Sequence, residues 1–121
     1  MDAEEAAKYV SEDARPYMDN IVGMLNAPFF ALNGMKPVSI SLDRVEISMD
    51  VKPRDRNSNG FWHGGTTYGV LDHAFAILTN IRGHAVGQNS NLNFYRPGRG
   101  DTVRAVATVV NESGSLAYCC L

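Results

Sequence analysis

One apolar stripe constrains this chain more than any other feature. Thr67, Val70, Leu71, Ala74, Phe75, Leu78 and Ile81 recur at steps of three and four, the spacing of one face of a helix. On both sides of the stripe the period changes to two. Before it, Val38, Ile40 and Leu42 alternate with Ser39, Ser41 and Asp43, and Val45, Ile47, Met49 and Val51 alternate with Glu46, Ser48, Asp50 and Lys52. Arg44 offsets these two runs, which predicts one long strand or a pair, with a bulge or bend near Asp43-Arg44. After the stripe Gly83 is expected to end the helix. Three strand-like runs follow: Val86 to Tyr95, closed by Arg96-Pro97-Gly98; Thr102 to Val110; and Leu116 onward, beyond the turn Asn111-Glu112-Ser113-Gly114. Runs joined by short turns pair antiparallel, and a lone amphipathic helix must be covered by their sheet. The fold class is therefore α+β, an antiparallel sheet packed on one long helix.

The chain has 121 residues, room for a single domain. Residues Ala3 to Val10 are good helix formers, Pro16 ends or offsets that helix, and Tyr17 to Leu25 is a second helical piece. An N-terminal helical extension over about residues 1–34 is expected, closed by the turn Asn33-Gly34. Net charge is -2 and no dense Lys/Arg block occurs, which argues against nucleic-acid binding. The acidic start Met1-Asp2-Ala3-Glu4-Glu5 is unlike a secretory signal, and no run approaches the roughly 20 apolar residues of a membrane-spanning helix. Cys119 and Cys120 are strand neighbours pointing to opposite faces, a poor disulfide and a weak metal site. They read as one buried and one exposed thiol of a reducing cytoplasm.

The chemistry concentrates between Asn57 and Asp72. His63-Gly64-Gly65 opens the striped helix, and backbone N–H groups at a helix start have no intrahelical partner. With the positive end of the helix dipole they suit an oxyanion, such as a thioester carbonyl gaining charge under attack. Asp72 lies two turns further on, at the flank of the stripe, among Tyr68, Gly69, Ala76 and Thr79. A carboxylate so placed can act as general base on water or attack a thioester directly. Singly, each feature has an ordinary structural use: a capped Asp, a Gly-Gly turn, a hydrogen-bonding His.

In combination they resemble a known family. Asn57, Gly60, His63-Gly64-Gly65 and Asp72, the helix text Tyr68 to Ala76, and Asn91 to Asp101 are similar to the signature of hot-dog-fold acyl-CoA thioesterases of the phenylacetate-degradation, PaaI-like type. The resemblance covers roughly residues 29–121. It implies a curved sheet wrapped around the central helix, and an active site shared between two subunits of a homodimer, often a dimer of dimers. By the same resemblance, Asn57 positions water or thioester, Gly64 donates to the carbonyl, Asp72 of the other subunit is base or nucleophile, and His63 shapes the turn. Gly65, Gly87 and Gln88 would lie near the substrate, and Arg96 and Arg99 are candidates for the nucleotide phosphates of coenzyme A. Coenzyme A enters as part of the substrate, with no separate cofactor and no metal. Two departures stand out. Leu71 and His73 flank Asp72 where a small residue commonly precedes it, and the family has one more strand after the run beginning at Leu116.

The leading expectation is an enzyme that hydrolyses acyl- or aryl-CoA thioesters. The alternative is a non-catalytic acyl-CoA-binding or structural hot-dog protein, which would have no need of a carboxylate at 72. A hot-dog dehydratase is weaker, because no matching Asp/His pairing is found. Tyr68, Phe75 and the pair Phe61-Trp62 would line an aromatic or an aliphatic acyl pocket equally well.

Overall fold

The computed structural model describes residues 1–121. Helix α1 (Ala3–Ala6) is short, its start capped by the Asp2 carboxylate, which accepts from the Glu5 N–H. Pro16 sits inside a tight 3-10 turn (Glu12–Tyr17), so the chain changes direction before helix α2 (Met18–Leu25) begins. Helix α2 buries Ile21 and Leu25, one turn apart. Pro28 occupies the first position of helix α3 (Pro28–Leu32), where its missing N–H costs nothing, and Phe30 is the residue α3 buries.

Strands β1 (Met35–Ile40) and β2 (Arg44–Asp50) form an antiparallel hairpin. The offset at Arg44 proves to be its turn. The Ser41 N–H donates to the Arg44 carbonyl, and the Ser41 hydroxyl accepts from the Arg44 N–H while donating to Asp43. The bulge lies instead between Pro37 and Ser39, where proline has no N–H for the ladder. Strand β2 pairs with β3 (Thr102–Ser113), and β3 with β4 (Leu116–Cys120), so the sheet order is β1-β2-β3-β4, antiparallel throughout. Strand β3 runs through Asn111 to Ser113, further than its alternation suggested. A register shift between Val109 and Asn111 absorbs one residue, and Gly114, at φ +57°, opens the turn into β4.

Helix α4 (Gly64–Asn80) crosses β2 and β3. It buries Val70, Ala74, Ile77 and Leu78 over Val45, Ile47, Met49, Val103, Ala105 and Ala107. Ile47 and Ile77 are wholly withdrawn from water, worth about 2 kcal/mol each by area. The alanines keep the two layers close. Leu71 and Phe75, expected in the core, are only half-buried: the sheet covers a narrower face than the stripe, and Ile77 takes the central place. The helix ends at Asn80, three residues before Gly83.

One predicted strand does not form. Residues 84–101 contain no strand, and Val86 and Tyr95 are almost fully exposed. Residues 87–91 are Gly-Gln-Asn-Ser-Asn, with no apolar side chain to seat the segment, and the nearest free backbone, the outer edge of β4, lies across an open groove of about 1770 Å³. That groove runs between the β3–β4 hairpin, the 84–95 segment and α4. No helix is long and apolar enough to cross a membrane.

Candidate active site at the start of the central helix

The polar stretch before α4 is built on Asp55. Its carboxylate accepts from the Lys52 N–H at 2.9 Å, and its carbonyl accepts from the His63 N–H at 2.9 Å and the Thr66 hydroxyl at 3.0 Å. This buried residue fixes where α4 starts. Nothing in the sequence pattern singled it out. Asn57 then organises its own loop: its Oδ1 accepts from the N–H groups of Asn59 and Phe61, its N–H donates to the Phe61 carbonyl, and Gly60 turns the chain at φ +82°. The Asn57 amide NH2 makes no hydrogen bond within the chain and remains a free donor.

His63 is the N-cap of α4, and its Nδ1 accepts from the Gly65 N–H at 2.8 Å. Accepting at Nδ1 puts the proton of the neutral ring on Nε2. The cap also divides the glycine pair. The Gly65 N–H is taken, whereas the Gly64 N–H, at the first helical position, has no intrahelical acceptor. The Phe94 ring lies against Gly64, 3.6 Å from where a Cβ would stand.

Asp72 is exposed on the groove side of α4. Tyr68, one turn before it, and Phe75, almost one turn after, line the same groove, as do Gly87 and Gln88. The Phe75 ring edge lies against Gly87, 3.6 Å from where a Cβ there would stand, and the Tyr68 hydroxyl meets that of Ser90. The predicted residues thus fall in two groups. Asn57, His63 and Gly64 surround the helix start, with Arg99 beside them over the Phe61 ring at 5.1 Å. Asp72, Gly87 and Gln88 lie along the groove. Arg96 is exposed and without an ion-pair partner. Phe61 and Trp62 are both engaged outside the groove, Phe61 beneath Arg99 and Trp62 beneath Gly98.

His73 faces away from Asp72, toward the N-terminal helices. It lies between Phe29 and Phe30, at ring-centroid distances of 6.2 and 4.9 Å, and its Nε2 is buried without a partner. Burial holds the imidazole below its usual pKa, partly offset by the Met24 backbone and by the charge of Asp72.

A four-stranded antiparallel sheet covering one long helix, with a capped Gly-Gly helix start, defines an α+β hot-dog domain. The chain belongs to the thioesterase superfamily, whose family model matches residues 59–120, just over half of its length. It is 32% identical over 81 residues, 65% of this chain, to the acyl-coenzyme A thioesterase PaaI of Escherichia coli K12. The chain spans 58% of the length of the curated relatives it matches. In structure it is similar to the E. coli PaaI protein from the phenylacetic acid degradation operon, with TM-score 0.77 and 28% identity over 84% of this chain and 76% of that one. It is likewise similar to a mutant of the phenylacetic acid degradation protein PaaI from Thermus thermophilus, with TM-score 0.67 and 33% identity over 71% and 76% of the two chains.

Proposed function

We propose that the protein hydrolyses acyl- or aryl-CoA thioesters to the free acid and coenzyme A in the cytoplasm, as a homodimer whose sites are shared between subunits. One observation carries this reading: His63 consumes the Gly65 N–H and leaves the Gly64 N–H unpaired at the positive end of α4. A thioester carbonyl placed there gains charge as it is attacked, and the fixed donor stabilises that charge more than the ground state. Asn57 offers its free NH2 to the same carbonyl or to the attacking water. Asp72 accepts the proton of that water, the C–S bond breaks, and the proton leaves with the thiolate. Direct attack by the carboxylate, through an anhydride that water then opens, uses the same atoms.

Geometry argues for two chains. Gly64 and Asp72 are eight residues apart on one helix, about 12 Å along its axis, whereas donor and base must both stand roughly 3 Å from one carbonyl. A base from a second copy removes the conflict. The exposed side chains of Val86, Phe94, Tyr95, Leu116 and Tyr118 provide apolar surface for such a partner, and two dimers can pair further. Arg96 and Arg99 are assigned to the nucleotide phosphates.

The test is thiol release over a panel of acyl- and aryl-CoA substrates, for wild type and Asp72→Asn. The expected loss in kcat is about 100-fold or more, with the melting temperature unchanged. Wild type that frees no thiol from any substrate sinks the enzyme reading in favour of a binding protein. A fully active Asp72→Asn removes Asp72 from the chemistry. Sedimentation at assay concentration checks the shared site, because an active monomer contradicts it.

A further inference from the structure

Two segments distant in sequence are locked together beside the helix start. Arg56 spreads its guanidinium over both: Nη1 donates to the Gly60 carbonyl at 3.0 Å, and Nη2 donates to the Gly100 carbonyl at 3.0 Å and Asp101 Oδ1 at 3.1 Å. Trp62 works from the other side. Its N–H donates to the Gly98 carbonyl and its Nε1–H to the Gly100 carbonyl, each at 3.0 Å. Gly98 lies flat on the indole, so close that a Cβ there would stand 2.2 Å from the ring. Arg56 and Trp62 are themselves paired across the loop. The carboxylate of Asp101 is almost fully exposed, so the ion pair adds little, and the carbonyl bonds define the arrangement.

We propose that Arg56 and Trp62 are positioning residues that fix the distance between the carbonyl-binding end of the site and the Arg96–Arg99 turn. The proposal rests on the thioesterase reading and names what holds its two ends in register. The Asn57 loop carries its own hydrogen bonds besides the one from Arg56 to Gly60, and α4 is capped by His63, so both stay tied without Arg56. What the clamp adds is the docking of residues 98–101, and with them the basic turn, onto that loop. A thioester carrying the full nucleotide must reach both ends at once. Binding energy from phosphates remote from the reacting carbon serves catalysis only when that span is rigid. Lysine cannot replace the fork, because one ammonium cannot satisfy two carbonyls and a carboxylate in fixed directions.

The experiment compares Arg56→Lys with wild type on two substrates of the same acyl group, an acyl-CoA and the matching acyl-pantetheine, which lacks the phosphates. The expected result is about a tenfold loss in kcat/KM on acyl-CoA, less than about twofold on acyl-pantetheine, and about tenfold weaker calorimetric binding of free CoA. Trp62 is the single tryptophan of the chain, so its emission should become more accessible to acrylamide while the circular dichroism is unchanged. Trp62→Phe keeps the ring beneath Gly98 and deletes one donor; it should shift the two substrates apart in the same direction, and it replaces Arg56→Lys if that variant does not fold. Equal losses on both substrates, or no loss on either, overturn the proposal. Wild type inactive on both sinks the hydrolysis reading instead, and the clamp is then decided by whether Arg56→Lys weakens CoA binding.

Discussion

Replacing Gly64 by proline separates the chemistry of its N–H from its place in the fold. Gly64 is the first residue of α4, and His63 before it holds ψ at 139°, the extended value a following proline demands. Proline is favoured at that helical position, because the N–H it lacks has no partner there. A Cβ would meet only Phe94 ring carbons, at 3.6 and 3.7 Å, which is ordinary contact. The folded state is therefore unstrained and the unfolded chain loses freedom, a gain of about 0.4–1 kcal/mol. For a chain of 121 residues the unfolding entropy is about 0.25 kcal/mol/K, so the melting temperature should rise by roughly 2–4 °C. Activity should move the other way. Deleting one oxyanion donor costs about 10²–10³ in kcat, or about 3–4 kcal/mol. Thermal melts and steady-state thiol release give both numbers, with Gly64→Ala as the control that keeps the N–H. A folded Gly64→Pro with wild-type kcat would refute the assignment of this N–H to the carbonyl, and a strongly destabilised one would refute the account of the helix start.

Three further outcomes are expected. Gly98→Ala places a Cβ 2.2 Å from Trp62 Cε3, so ring or turn must yield by about 1 Å; the strain of about 1–3 kcal/mol should lower the melting temperature by roughly 4–12 °C, and a shift under a degree counts against the packing described. Because burial lowers the His73 pKa in the folded state, the unfolded chain takes up that proton first as pH falls below about 6.5. Stability from this group is therefore full above that pH, declines as pH drops toward the folded value, and then levels off. Urea midpoints between pH 7.5 and 5 should fall less in His73→Phe than in wild type, and identical slopes would contradict the burial argument. Burial first, and then the charge of Glu112, raise the Cys119 thiol, whereas Cys120 is exposed. A thiol reagent at pH 8 should label Cys120 before Cys119, as mass spectrometry of partly labelled protein would reveal.

The central helix, β1, β2 and the first half of β3 were legible because their periodicities reflect burial on one face; β4, almost wholly exposed, was legible only from the turn residues before it. The offset at Asp43-Arg44 left one bulged strand and a pair of strands open, since a one-residue shift in alternation looks the same for both; it is the turn of the β1–β2 hairpin. Val86 to Tyr95 was read as a strand from its bounding turn residues, yet its middle, Gly87 to Asn91, is an unbroken polar run with nothing apolar to hold it on the sheet. Among the candidate site residues, Asn57, His63, Gly64 and Asp72 stood out by type and spacing. Asp55 and Arg56 did not: Asp55 accepts at its own carbonyl from His63 and Thr66, Arg56 donates to the Gly100 carbonyl 44 positions away, and such contacts leave no periodic trace. The roles of Phe61 and Trp62 were hidden for the same reason, as both spend their rings on the 98–100 turn and not on the groove.

Neighbouring pairs on α4 serve opposite clients. Tyr68 and Asp72 look into the groove, while Gly69, with Phe29 3.2 Å from its virtual Cβ, and His73 receive the N-terminal helices. Each step along a helix turns the side chain by about 100°. Deleting a single residue before Tyr68 within α4 would rotate this whole set against the sheet, moving the carboxylate away from the groove and swinging a different side chain toward Phe29 and Phe30. Substitutions on either wall are local events. A change of length by one is not, so related chains should tolerate substitutions at the exposed positions of this helix more readily than a change in the count between its capped start and Asp72.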